Sequence, residues 1–224
     1  MAITRKATLS SRIGADLRAE ILRGSLAPGE KINLDQLRAR YDVSISPLRE
    51  AVARLVADGL VEFEDQRGYT VSPISAADLA DVTALRETLE AQALESSIAT
   101  GDLNWESDVV EALYRLNHTP RQNGAEDWEE AHTAFHLALI SGCRRPRLLQ
   151  VCTTLRLQHD RYRRVLLGDA ELAASGRRVE EEHSAIADAA VARESARAVA
   201  LLRAHIEATG KALRAQLAAR MSQG

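Results

Sequence analysis

The stretch HTAFH, His132 to His136, sets two imidazoles four residues apart in a chain of 224 residues that contains six histidines. Each neutral imidazole offers a nitrogen lone pair. At this spacing on a helix two of them lie one turn apart on the same side, a chelating geometry for a divalent cation. Two core or half-exposed histidines satisfied by neighbouring groups fit the same spacing, so the pair alone leaves both readings open. Trp128, His132, Phe135 and Leu139 recur at steps of 4, 3 and 4, which points His132 where the helix points its apolar side chains.

His183 and His205 sharpen the question. The midpoint of 183 and 205 is 194, and the text breaks near Arg193, where Glu194 or Ser195 can cap a new helix. A chain that folds back there as an antiparallel hairpin carries both imidazoles at the same height on neighbouring helices. Each also lies in an apolar stripe, Val179, His183, Ile186 for one helix and Ala198, Leu202, His205 for the other. Inward histidines on three helices would each cost on the order of 2–7 kcal/mol if desolvated without a partner, and a shared cation removes that cost. His118 and His159 fall outside this constellation and read as a loop histidine and a helix-surface histidine.

A nitrogen-rich site with three or four protein ligands keeps one or two positions open, as catalytic metal sites do, so a metal-dependent hydrolase is the competing class. Hydrolysis would want a carboxylate beside the metal-bound water, as in HExxH, and the sequence has no such motif. Glu180, Glu181 and Glu182 precede His183, but at least two of them must point away from a shared cavity, and the run reads as a solvated face.

The elements that must position these residues are helical. Hydrophobic residues make up 46% and aromatics 4% of the chain, with alanine, leucine, arginine and glutamate dominant, as in helices packed through aliphatic seams. Periodicity predicts C-terminal helices near 76–100, 105–118, 126–142, 146–167, 177–192 and 195–220. The N-terminal residues read differently. Ile13, Leu17, Ile21 and Leu22 define a first helix with serines as candidate caps and Gly24 at its end. LAPGEKIN reads as a turn, Asn33 caps a short helix through Leu34, Leu37 and Tyr41, and Ser44 or Ser46 begins a third helix with Pro47 in its first turn. Leu48, Val52, Leu55 and Val56 form the buried stripe of that helix, and Arg49 and Arg54 lie off it. Two short helices joined by a tight turn make a helix-turn-helix. VEFE and YTVSP around DQRG then make a wing with a small basic tip, Arg67-Gly68. The expected fold is mainly α, a winged helix-turn-helix over residues 1–75 followed by an all-helical bundle over 76–224.

Composition narrows the setting. No signal peptide and no stretch of ~18 uncharged apolar residues is present, so the chain is expected to be cytoplasmic with no membrane partner. Cys143 and Cys152 are expected as reduced core residues. Net charge is +1 over residues 1–75 and −4 over the remainder, a weak bias in the direction of a nucleic-acid-binding N-terminal domain.

ILRGSLAPGEKI, LRARYDVSISPLREAVARLVADGLV and RGYTV together resemble the winged helix of the GntR family of bacterial transcription regulators across roughly sixty residues. The resemblance implies operator DNA as partner, with Ser44, Ser46, Arg49, Arg67 and Gly68 at the contact. Arg49 is expected to read a base edge, since a guanidinium can pair guanine bidentately. The sequence departs from the pattern at Ile45, where the family often has arginine, and at Asp35, where some members have a basic residue.

The histidine spacing resembles the metal-binding form of the FadR-type, or FCD, effector domain of the same family. His136, His183 and His205 match its three histidines, and His132 takes the place of its usual aspartate. The resemblance implies a divalent cation, with Zn²⁺ first and Ni²⁺ second because a nitrogen ligand replaces an oxygen. It also implies a homodimer and a repressor controlled by a small organic acid. Within the family, HTAFHLALISGC and LREAV hint at dicarboxylate metabolism. Arg86, in LRETLE where the family also carries arginine, is the candidate for the second carboxylate, with an ion pair to Glu87 or Glu90 as its alternative. A regulator in which the cation itself is the signal uses the same residues.

Overall fold

The computed structural model describes residues 8–121, 126–166 and 177–222. The chain divides into two compact units, Met1–Ser75 and Ala76–Gly224.

In the first unit, α1 (Leu9–Arg23) buries Ile13, Leu17, Ile21 and Leu22 and stops where Gly24 turns left-handed at φ 77°. The cap is Thr8, whose hydroxyl accepts from the Ser11 amide, and not one of the serines: Ser10 is turned inward. Asn33 caps α2 (Leu34–Tyr41) by accepting from the amides of Asp35 and Gln36 at 2.9 and 3.2 Å. Asp42, left-handed at φ 49°, ends that helix, and α3 (Ile45–Ala57) begins after Ser44, whose side chain makes no capping bond. The inward face of α3 is Leu48, Ala51, Val52 and Leu55; Ala51 takes the place expected for Val56 because α1 lies against it, the Ala51 Cβ being 3.8 Å from where a Cβ on Gly14 would stand.

The wing is a hairpin of β2 (Val61–Glu64) and β3 (Gly68–Val71), in register from Val61 opposite Val71 to Glu64 opposite Gly68. The segment expected only as a turn also contributes a strand. β1 (Lys31–Ile32) pairs with the other edge of β3, so the order is β1-β3-β2. Two residues are too few to show an alternating pattern, and the partner that makes them a strand lies far along the chain.

The second unit is helical throughout its described residues: α4 (Ala76–Thr100), α5 (Leu103–His118), α6 (Glu126–Ser141), α7 (Pro146–Leu166), α8 (Val179–Val191) and α9 (Ser195–Met221). Asp102 accepts from the Trp105 amide at 3.0 Å, which starts α5 two residues before its expected beginning. Ala93, Leu94, Ile98, Val109, Phe135, Leu139, Ile186, Leu202 and Ile206 form the core, with Cys143 and Cys152 buried as free thiols beside them. The α8–α9 turn passes through a left-handed residue, Arg193 at φ 60°. Its guanidinium donates to the carbonyls of Ile98 and Gly101 and to Glu106, and lies 5.1 Å from the Trp105 ring centroid. No described helix is long and apolar enough to cross a membrane.

Candidate metal centre

The helix hairpin and α6 bring four imidazoles together. His132 and His136 come from α6, His183 from α8 and His205 from α9, and one nitrogen from each lies within 4.8 Å of the others. Ring centroids are 4.8 Å apart for His132 and His136, 4.8 Å for His183 and His205, and 5.2 Å for His136 and each of the latter two. All four are buried, none more than 7% exposed. Burial, reinforced for three of them by Arg156, drives their pKa values below the usual 6.5, so the rings stay neutral and keep a lone pair.

Neutral buried nitrogens need partners, and some of these have none. Both nitrogens of His136 and Nε2 of His183 are buried without a hydrogen bond. His205 is different: its Nδ1 donates to Glu182 Oε2 at 2.8 Å, and Arg177 Nε donates to the other Glu182 oxygen at 3.0 Å. Burial raises the Glu182 carboxyl, but the bonds from His205 and Arg177 outweigh it and hold it down to about 2. The expectation of a solvated acidic run therefore holds for the exposed Glu180 and Glu181 and fails for Glu182. Converging, unprotonated and unpartnered nitrogens with an outer carboxylate are a donor set that fits a borderline divalent cation.

Guanidinium groups wall the adjoining cavity, which is small, about 30 Å³. Arg86 is 3% exposed and donates through Nε to Glu90 at 2.6 Å, so it both lines the cavity and makes the expected pair with Glu90, though as a buried pair. Arg156, on α7, places Nη2 3.2 Å from His132 Nδ1, and burial lowers its own pKa to about 10. One turn on, Asp160 is held well below the usual carboxylate range: burial opposes this, and Arg156 and Arg163 overcome it. Arg163 in turn grips Glu129 through both Nη atoms.

His159 corrects the sequence reading. It is 1% exposed, lines the cavity and has no hydrogen bond on either nitrogen. The text LRLQHDRYRR looks like a solvated face because its inward residues are charged; only the cavity behind them reveals their side. Arg156, Asp160 and Arg163 were missed for the same reason, although their 4 and 3 spacing with His159 between them was available as a signal. His118 ends α5 instead of lying in a loop; it is exposed, stacked on Tyr114 at 3.9 Å and outside the cluster.

The first unit presents Ser44, Ser46 and Arg49 on the exposed start of α3. Arg49 has no ion pair among the described residues, whereas Arg54 pairs with Glu50 and Arg67 with Glu64 at 3.0 Å. At the wing tip Gly68 takes φ 85° with open space where a Cβ would stand, so backbone can approach a partner there.

Residues 9–71 match the family described as bacterial regulatory proteins, gntR family, and residues 81–208 match the FCD domain. The chain is 40% identical to the HTH-type transcriptional regulator BphR of Paraburkholderia xenovorans over 86% of its own length and 80% of that protein. It is 34% identical to the HTH-type transcriptional repressor GlaR of Escherichia coli K12, over 85% and 89% of the two chains. A GntR transcriptional regulator from Rhodococcus sp. RHA1 superposes with a TM-score of 0.73 at 26% identity, covering 91% of this chain and 96% of that one. The chain therefore belongs to the gntR family of bacterial regulatory proteins, as a DNA-binding transcriptional regulator whose second unit is an FCD effector-binding domain.

Proposed function

We propose that this regulator is a homodimeric repressor whose operator affinity is set by a small organic acid bound at a divalent cation in the second unit. The observation that carries the reading is the cavity beside the histidine cluster, lined by the unpartnered nitrogens of His136 together with the buried guanidinium groups of Arg86, Arg156 and Arg163. His136, His183 and His205 would hold the cation, Zn²⁺ before Ni²⁺ given nitrogen donors, with His132 at the fourth place of the cluster. A cation bound there supplies a Lewis-acid point for carboxylate oxygens.

The chain's own residues do the rest. Arg86 commits only Nε to Glu90 among the described residues, which leaves its two Nη groups to pair a second carboxylate. Arg156 and Arg163 add positive potential and are themselves buried, so an anion is held more strongly than at the surface. Ser44, Ser46 and Arg49 would meet base edges and neighbouring phosphates in the major groove, and Arg67 and Gly68 the flanking backbone. Two copies would mirror a two-fold operator, and an acid that binds one arrangement of the pair better than the other changes operator affinity by that difference. That GlaR of Escherichia coli K12 is a transcriptional repressor supports the sign.

The test is operator binding in a gel shift, with Zn²⁺ titrated at fixed acid and then acetate, succinate, malate and citrate titrated at fixed Zn²⁺. Release by an acid only when Zn²⁺ is present is the expected result. Release by Zn²⁺ alone would make the cation the signal, and indifference to both would remove the reading.

A further inference from the structure

Resting on the cation reading above, we propose that His132 is not a metal ligand: His136, His183 and His205 complete the protein ligand set, and His132 lines the cavity as an Nε2–H donor.

Distance alone does not separate the four rings, since all converge within 4.8 Å. Their hydrogen bonds do. A ligating imidazole coordinates through one nitrogen and donates the N–H of the other to an acceptor. His205 follows that rule, because the carboxylate of Glu182 only accepts; its Nδ1 carries the proton and its Nε2 the lone pair. His132 shows the reverse. Its Nδ1 faces Arg156 Nη2 at 3.2 Å, and the same Nη2 reaches the His132 carbonyl at 3.5 Å. A guanidinium has no lone pair to offer, so Nδ1 must be the accepting nitrogen and the neutral ring carries its proton on Nε2. Neither nitrogen is then open to a cation.

The placement of the ring agrees. His132 stacks on Trp128 with centroids 4.9 Å apart and planes 14° from parallel, and Trp128 is itself covered by Arg121 at 4.3 Å and approached by Arg163 at 5.5 Å. His132 is thus held in plane by Trp128 and at Nδ1 by Arg156. His136, with no partner on either nitrogen, and His183, with none on Nε2, are the members whose satisfaction needs something more. With three neutral ligands the cation keeps its full double charge, and the cavity gains a donor polarised by Arg156 beside it.

Zn²⁺ alone is the probe. After loading, the His132→Ala chain should hold Zn²⁺ within about threefold of the unmodified chain in competition with a chromophoric chelator, while His183→Ala should lose it by about a hundredfold or more. X-ray absorption should count three imidazoles on Zn²⁺ in both the unmodified and the His132→Ala chains. A His132→Ala loss equal to that of His183→Ala, or a count that falls from four to three, overturns the proposal while leaving the cation reading intact. An unmodified chain that takes up no Zn²⁺ overturns both. Should His132→Ala fail to fold, the long-range proton–nitrogen spectrum of the Zn²⁺-loaded, histidine-labelled unmodified chain decides: an Nε2-protonated His132 with an unligated Nδ1 supports the proposal, and a metal-shifted nitrogen at His132 overturns it.

Discussion

Glu182 Oε2 accepts a hydrogen bond from His205 Nδ1 at 2.8 Å, joining two helices at the rim of the histidine cluster. The bond sets which His205 nitrogen keeps its lone pair, and Arg177 keeps the carboxylate in place. Glu182→Ala should therefore lower metal affinity by about 10–100-fold with the helical fold retained. Glu182→Gln should be milder, because its amide oxygen can accept the same proton. Zinc competition and circular dichroism on the two variants check the order; equal affinity in all three chains would make Glu182 a bystander.

His136→Ala and His183→Ala should each abolish stoichiometric metal and lower thermal stability relative to the loaded parent. A ligand held only by the folded state stabilises it by about 2.7 kcal/mol at a hundredfold excess over Kd. The apo variants should still bind operator and should no longer respond to acid. Elemental analysis and thermal melts measure this, and full metal content in His183→Ala contradicts it.

Arg49→Ala should cost about 1–3 kcal/mol of specific operator binding and relax preference at one base position, with folding intact. Arg67→Ala should weaken binding to all sequences alike, as the loss of a phosphate contact does. Footprinting with a randomised half-site distinguishes the two outcomes.

Burial holds the His159 imidazole neutral, well below the usual 6.5. Below that pH the unfolded chain takes up a proton that the folded chain refuses, so stability falls with pH by about 1.4 kcal/mol per unit for this one group. His159→Leu removes the difference. Relative to the parent, its melting temperature should improve steadily between about pH 7 and pH 5; parallel curves would mean that the folded chain protonates His159.

Gly210 lets α9 approach α4. A Cβ at that position would stand 2.5 Å from Thr83 Cγ2 and 2.8 Å from its Oγ1. Gly210→Ala should destabilise by about 1–3 kcal/mol through overpacking, and adding Thr83→Ala should restore part of the loss. Additive effects in chemical denaturation would show that the contact is not the cause.

Much of this molecule was legible because hydrophobic periodicity survives in sequence. Leu94, Phe135, Ile186 and Leu202 announce their helices and their faces, and the symmetric spacing of His183 and His205 about the break near Arg193 predicted the hairpin that unites them. What stayed hidden depends on partners distant in the chain. β1 exists because β3 passes beside it, and Thr8 caps α1 because Ser10 turns inward. Arg156, His159, Asp160 and Arg163 look solvated because charged residues are mostly exposed, and their burial follows from a cavity that no local pattern encodes. Glu182 was indistinguishable from its two neighbours until His205 supplied a proton for it to accept.

The Arg193 clasp makes the hairpin a ruler. His183 lies ten residues before it and His205 twelve after, so their heights are counted from a turn pinned to the end of α4 and the start of α5. One residue inserted between Arg193 and Ser195 would shift His205 by about 1.5 Å along its helix and turn it by roughly 100° away from His183. Length variation is usually tolerated best in short surface connections. Here the connection sets a distance deep inside the domain, so indels in this turn should be far more damaging than its exposed position suggests.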